Sequence, residues 1–262
     1  MRLIDSHAHV QAGAFDTDRD EVIAQARAAG VERMLVPGWD LASSTASIEL
    51  AGRAGLDAAA GIHPHVADSS DRDWPALFDL LADPTVVAVG ETGLDYDRGF
   101  SARKAQLANL GRHLRAAHEL GKPAILHCRS KPGARDAQDD LLRAIDDEGR
   151  PPALLHSFSG PVDYAERALE MGLAISFSGL AFRKGEEVTA EVARLVPLDR
   201  LLVETDCPYL SPPGAPRRRN APEWVAITAR WLAEQRGADA DVLGAQLVAN
   251  YDRLFGLSQA AS

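Results

Sequence analysis

Leu3-Ile4-Asp5-Ser6-His7-Ala8-His9-Val10 opens the chain almost at once, an apolar run that closes on two histidines two positions apart. It reads as a strand and not as the apolar core of a signal peptide. A stretch of helical spacing, 18–29, follows and stops at Ala29-Gly30, and a second apolar run begins near 33. Glycine at that point suits the left-handed residue that ends a helix. The same unit then recurs along the chain. Candidate strands fall at 3–10, 33–37, 57–61, 86–91, 124–127, 153–157, 173–177 and 201–206. Helical spacing fills 18–29, 44–54, 74–81, 101–120, 136–147, 163–170, 186–195 and 222–235. Strands alternating with helices imply a parallel sheet with right-handed crossovers. Eight such units predict a closed (β/α)8 (TIM) barrel, which needs about 250 residues. The 262 residues therefore make one domain, 1–262. A further helix, 242–255, is expected against the barrel wall, and 258–262 is expected to fray.

Composition agrees. Apolar residues make up 46% and aromatics only 6%, which suits a helix-rich α/β protein with buried parallel strands. The net charge of −10 argues against a protein that coats nucleic acid generally, although bound metal ions could supply positive charge locally. Two cysteines, Cys128 and Cys207, give no disulfide framework and point to a reducing compartment. No uncharged apolar stretch reaches the roughly 18 residues that span a bilayer. The expectation is a cytoplasmic protein with no membrane contact and no obligate protein partner.

Barrel strands normally present Val, Ile or Leu inward. Here the strand ends carry His7 and His9, Glu91, His127, His156 and Asp206, and His63 and His65 follow the third strand. The C-terminal ends of the strands form the face where barrel enzymes act. A single His-x-His is a weak sign, a lone buried histidine is more often a packing residue, and Asp206 alone could begin a turn before Pro208. The conjunction of five strand ends is what points to a metal site, because converging imidazoles and carboxylates are costly to bury without cations. Asp5 and Glu204 lie two residues deeper and are expected to hydrogen-bond behind the ligands. His113 and His118 sit in the long fourth helix and are read as packing or surface residues. Cys128 and Cys207 each follow a candidate ligand, so alternation turns them away from the cleft.

The run Ile4-Asp5-Ser6-His7-Ala8-His9, with Gly61-Ile62-His63-Pro64-His65, Gly90-Glu91-Thr92-Gly93-Leu94-Asp95-Tyr96, His127-Cys128-Arg129, His156-Ser157-Phe158-Ser159-Gly160 and Glu204-Thr205-Asp206-Cys207-Pro208, resembles the TatD-related metal-dependent hydrolases over nearly the whole chain. Asn250-Tyr251-Asp252-Arg253-Leu254-Phe255 resembles the family's closing helix. The resemblance implies a binuclear site. His7, His9 and Asp206 would hold one ion, His127 and His156 the other, and Glu91 would bridge them. It also implies deoxyribonuclease activity, exonucleolytic in several members. One departure is visible: where relatives often carry Asn-Glu-Pro after a basic stretch, this chain reads Arg217-Arg218-Arg219-Asn220-Ala221-Pro222.

Two divalent ions lower the pKa of a water towards neutrality and clamp a displacement without a serine or cysteine nucleophile. Asp206 is expected to accept the water's proton, and Glu91 to share in catalysis. Nitrogen and oxygen donors suit Zn, Mn, Fe or Ni, and Mg weakly. Arg129, Arg217, Arg218 and Arg219, with Arg98, Lys131, Arg183 and Lys184, are placed in loops on the catalytic face, a basic rim that would draw a polyanion such as DNA. His63 and His65 are expected to touch substrate. Tyr96, Phe100, Phe158, Tyr209 and Trp224 are candidates for base stacking. Two other readings stand beside the nuclease: hydrolysis of a small amide, ester or lactone, and a non-catalytic, metal-bound nucleic-acid-binding module.

Overall fold

Alternation of apolar runs with helical segments gives eight strands and nine helices among residues 1–257, which the computed structural model describes. The strands are all parallel where paired and follow one another in sheet order as in the chain. The expected frayed tail, 258–262, lies outside the described residues. Contacts group the chain into two compact units. One comprises Met1–Val36, His156–Glu166 and the chain from Ala174 onward; the other comprises Pro37–Leu155 and Arg167–Leu173.

In the first unit, β1 (Leu3–Asp5) pairs with β2 (Val31–Pro37), and α1 (Arg19–Ala28) forms the crossover. Gly30, at φ +98°, makes the turn between α1 and β2; a Cβ there would lie 2.7 Å from the Met1 carbonyl oxygen. β7 (Ala174–Phe177) pairs with β8 (Leu201–Val203) in the same way. β8 then returns to β1: the Ser6 amide donates to Val203 O at 3.0 Å, and the Asp206 amide donates to His7 O at 2.9 Å. Sheet order following chain order, with the last strand bonded to the first, is the connectivity of a (β/α)8 barrel. Helices α7 (Thr189–Leu195), α8 (Val225–Arg236) and α9 (Ala240–Leu254) complete this unit. The last is the extra helix expected against the wall. It is N-capped by Asp239 and tied to β8 by Asn250, whose side-chain amide donates to Leu198 O and Leu201 O.

The second unit holds β3 (Asp57–Ala60), β4 (Val86–Asp95), β5 (Ala124–Arg129) and β6 (Ala153–Leu155) in one parallel run. α2 (Leu41–Ala54), α3 (Ser70–Leu80), α4 (Arg103–Leu120) and α5 (Asp136–Asp147) connect them, and α6 (Val162–Glu170) follows β6. Asp40 and Ser43 close a reciprocal capping box on α2. Strand residues from Ala58 to Ala60 and from Ala124 to Leu126 are buried throughout, as a parallel sheet covered on both faces requires.

All eight expected strands are present, but their ends differ from the sequence reading. β1 stops at Asp5, β6 at Leu155 and β8 at Val203, so His7, His9, His156 and Asp206 stand just beyond their strands. Ser157 and Asp206 adopt positive φ, +45° and +53°, which breaks the extended backbone. β4 runs four residues longer than expected, to Asp95, because it keeps pairing with β5 as far as Asp95–Arg129.

Candidate metal centre

The first unit gathers His7, His9, His156 and Asp206. β1 and β8 end side by side, and an isolated bridge between Ala8 and Cys207 keeps the two exiting segments together. His7 and His9 approach through their Nε2 atoms at 3.1 Å. Asp206 Oδ1 lies 3.5 Å from His9 Nε2 and 3.8 Å from His7 Nε2. His156 stacks on His7 with ring centroids 3.9 Å apart. His7, His156 and Asp206 each offer one donor atom, all within 4.8 Å of one another. Imidazole lone pairs facing one carboxylate fit a divalent cation of borderline or hard character.

The groups behind these side chains are specific. Glu204, fully buried, has Oε1 3.1 Å from His156 Nδ1, which places the proton on Nδ1 and the ring's lone pair on Nε2. Ser6 and Ser176 meet at 2.9 Å beside it. Asp5 faces backbone instead. It accepts from the Thr205 amide at 2.9 Å, the Thr205 hydroxyl at 2.6 Å and the His7 amide at 3.3 Å. Burial pushes Asp5 up to about 8, against the pull of those hydrogen bonds. Its role is to join the exits of β1 and β8. Asn220, buried, adds a brace by donating to Thr205 O at 3.0 Å and Tyr209 O at 2.8 Å. The asparagine of the departed Asn-Glu-Pro pattern therefore holds the loop that carries Asp206.

The second unit gathers Glu91, His127, His63 and His65, together with Asp95. Glu91 Oε1 lies 3.2 Å from His63 Nε2 and 3.3 Å from His127 Nδ1. Asp95 Oδ2 lies 2.8 Å from His65 Nε2 and 3.2 Å from His127 Nε2. His63, His65 and His127 offer donor atoms within 4.8 Å of one another. His63 accepts the His65 amide at Nδ1, so its Nε2 carries the proton and points at Glu91. Burial holds His63 down at about 4 despite the Glu91 charge. His65 is the member of the pair with solvent access, at 33% side-chain exposure. Close backbone packing fixes Glu91: a Cβ on Gly61 would come within 2.5 Å of Gly90.

Asp95 is the residue the sequence reading missed. Burial alone would raise it, but hydrogen bonds from His127, His65 and the Arg98 amide outweigh that and hold the carboxyl well below the usual range. The signal was present, since Glu91 and Asp95 are four apart on one strand and share a face. His113 is buried rather than superficial. Its Nε2 accepts from the Ile62 amide at 3.0 Å, and Nδ1 meets Asn109 O at 2.8 Å. Asn109 donates to Ile62 O at 2.7 Å and Gln106 bonds both backbone groups of Asp95, so one face of α4 holds the backbone beside His63 and Asp95. His118 is exposed.

The basic residues divide. Arg129 pairs with Asp97 at 3.0 Å and stays half exposed. Arg217 and Arg218 are exposed. Arg219 is engaged with Asp18 through both nitrogens, with Ala14 O at 2.9 Å, and lies over the Phe15 ring. The aromatic candidates divide too. Tyr96 is buried with its hydroxyl on Asp140, Phe158 is buried against Tyr164, and Trp224 is half-buried. Phe100 and Tyr209 remain 65% and 62% exposed, beside His65 and His9 respectively. Cys207 is buried, its thiol pushed well up by burial, and the two cysteines are not joined in a disulfide. Among the described residues no helix is long and apolar enough to cross a membrane.

Comparison with known proteins places these features in a family. The family model for TatD related DNase matches residues 4–256. A "3'-5' ssDNA/RNA exonuclease TatD" of Klebsiella pneumoniae (strain 342) is 37% identical, covering 97% of this chain and 98% of that protein. An "Uncharacterized metal-dependent hydrolase YabD" of Bacillus subtilis (strain 168) is 34% identical over 98% of this chain and all of that protein (100%). Among solved structures, a TatD homologue from Escherichia coli k12 superposes with a TM-score of 0.87 at 30% identity, covering 98% and 99% of the two chains. The chain belongs to the TatD related DNase family, a set of metal-dependent hydrolases on the (β/α)8 barrel.

Proposed function

We propose that residues 1–262 act as one barrel domain and form a binuclear metal-dependent nuclease that hydrolyses phosphodiester bonds in single-stranded DNA or RNA. The observation that carries the reading is that imidazole nitrogens meet a carboxylate twice, His7 and His9 at Asp206 and His63 and His127 at Glu91. His7, His9 and Asp206 would hold one ion, His127 and His156 the other, with Glu91 shared. This assignment follows the family pattern and the donor chemistry. Divalent ions there supply positive charge to the phosphate and bring the pKa of water towards neutrality. Asp206 accepts the proton of the attacking water. Glu204 holds His156 in the tautomer that leaves Nε2 as a donor pair. Asp95 orients His65 and His127 through one oxygen. Arg129, Arg217 and Arg218 draw the polyanion to an otherwise acidic protein, and His65 is placed to meet it. The Klebsiella relative's name supports single-stranded nucleic acid as the substrate class.

The test incubates metal-loaded protein with labelled single-stranded DNA and RNA and, separately, with a panel of esters and lactones. Release of mononucleotides that stops on chelation and in His127→Ala supports the reading. Turnover of esters or lactones without nucleic-acid cleavage overturns it, as does no turnover at all. Asp206→Asn should abolish turnover while some metal is retained; near-normal activity would remove Asp206 as the proton acceptor.

A further inference from the structure

The loop that follows β4 has a built base and an exposed tip. At its start, Asp95 Oδ1 accepts the amides of Asp97 and Arg98 at 3.1 and 2.8 Å. At its end, the Ser101 hydroxyl donates to His65 O at 3.0 Å, and Ser101 O accepts from Gln106 Nε2 at 2.9 Å. Asp68 ties the same end down, its Oδ1 accepting the Ala102 amide at 3.2 Å. Between these anchors stand Arg98, Gly99 and Phe100, all exposed. Gly99 takes φ +61° with open space around it, which lets the tip turn outward.

Phe100 lies edge-on to the His65 imidazole, centroids 4.8 Å apart at 89°, and leaves 65% of its surface to solvent. A large apolar ring held in water by a pinned loop is a poor arrangement for stability. It is a good one for a planar ligand, because His65 supports the ring while a face stays open. Arg98, two residues away, makes no ion pair among the described residues, whereas Arg103 and Arg129 in the same region are committed to Asp140 and Asp97. An aromatic platform and an uncommitted guanidinium on one rigid loop match the two parts of a nucleotide: a base to stack and a phosphate to bind.

We propose that residues 98–100 form a nucleotide-binding element in which Phe100 stacks on a base of the substrate strand and Arg98 takes a phosphate. The proposal rests on the nuclease reading and deepens it, since a base held in a duplex cannot offer its face and the loop therefore selects single strands. It also assigns the step of recognition to a part of the protein that need not touch the reacting phosphate.

The experiment compares full-length, metal-loaded wild type with Phe100→Ala, Phe100→Trp and Arg98→Ala. Binding of a short labelled single-stranded phosphorothioate is read by fluorescence anisotropy, and hydrolysis of a small diester without an aromatic ring, a dimer of abasic tetrahydrofuran nucleotides, is read alongside by mass spectrometry. Phe100→Ala should weaken binding between about fivefold and about a hundredfold. Phe100→Trp should restore it, and turnover of the small diester should stay within about twofold of wild type in every variant, since that substrate has no base to stack. An oligonucleotide with abasic sites should bind wild type as weakly as the intact strand binds Phe100→Ala. Arg98→Ala should reduce the slope of log affinity against log salt by about 0.7, one phosphate contact on a single strand. Unchanged binding by Phe100→Ala, in a wild type that cleaves single strands, overturns the loop proposal and leaves the nuclease reading standing. Equal loss on the small diester overturns it too, because the loop would then serve the geometry of the metal site. A wild type that neither binds nor cleaves nucleic acid overturns both.

Discussion

Acid should weaken this fold through His113, and the size of the effect follows from its surroundings. The ring is fully buried, accepts the Ile62 amide at Nε2 and meets Asn109 O at Nδ1, so both nitrogens are committed in the neutral form. A second proton would place an N–H against an N–H and bury a charge beside the Trp74 ring. Burial accordingly lowers its pKa to about 4. In the unfolded chain an ordinary histidine titrates near about 6.5. Between those values the unfolded state binds the proton and the folded state does not. The contribution is complete above about pH 6.5, is lost as the pH falls towards about 4, and is flat below that. The interval of about 2.5 units, at about 1.4 kcal/mol each, amounts to about 3 kcal/mol. His113→Gln keeps an acceptor for Ile62 but cannot titrate. Urea unfolding of chelated wild type and His113→Gln across this range measures the effect, with the other histidines cancelling between the two proteins. The wild type should lose about 3 kcal/mol more than the variant. Parallel curves would refute the reasoning, because they would mean that the folded protein protonates His113 as readily as the unfolded chain does.

Two further outcomes follow from the site. Glu204→Gln leaves the fold in place but removes the charge facing His156 Nδ1, and metal affinity, measured by titration against a competing chelator, should drop about 10- to 100-fold; an unchanged affinity would separate Glu204 from the metal. The loop arginines should divide in the same way as their contacts. Arg217→Ala and Arg218→Ala should raise KM for a strand and flatten its salt dependence with no change in Tm, whereas Arg219→Ala, which breaks the pairing with Asp18, should lower Tm; a fall in Tm for all three would erase the distinction.

The repeating unit and the candidate ligands were legible because they rest on local rules. Apolar runs of strand length, helical spacing between them and glycine at the turns specify the order of elements, and histidine or carboxylate at the end of an apolar strand has few other reasons to be there. Glu204 was legible too, two residues before Asp206 in the same strand-end segment. The strand ends were less so. His7 and Asp206 lie beyond β1 and β8 because the backbone leaves the ladder there, and only the partner strands decide where a ladder stops.

Charges show the division most clearly. Arg217, Arg218 and Arg219 are identical in sequence, yet Asp18, 201 positions away, takes one of them. Five aromatic residues qualified for stacking by position, but packing against Asp140 and Tyr164 buries Tyr96 and Phe158 while Phe100 stays open. His113 looked like filler on a helix until the Ile62 amide met it across the loop. Residue type and period determined on their own which elements form and which residue types stand at the strand ends, because each depends on neighbours within a few positions. Which charge is neutralised, which ring is left in water and which carboxylate steadies which imidazole were decided only by tertiary structure. Those pairings join residues far apart in the chain, and their energy exists only once folding has removed the water between them.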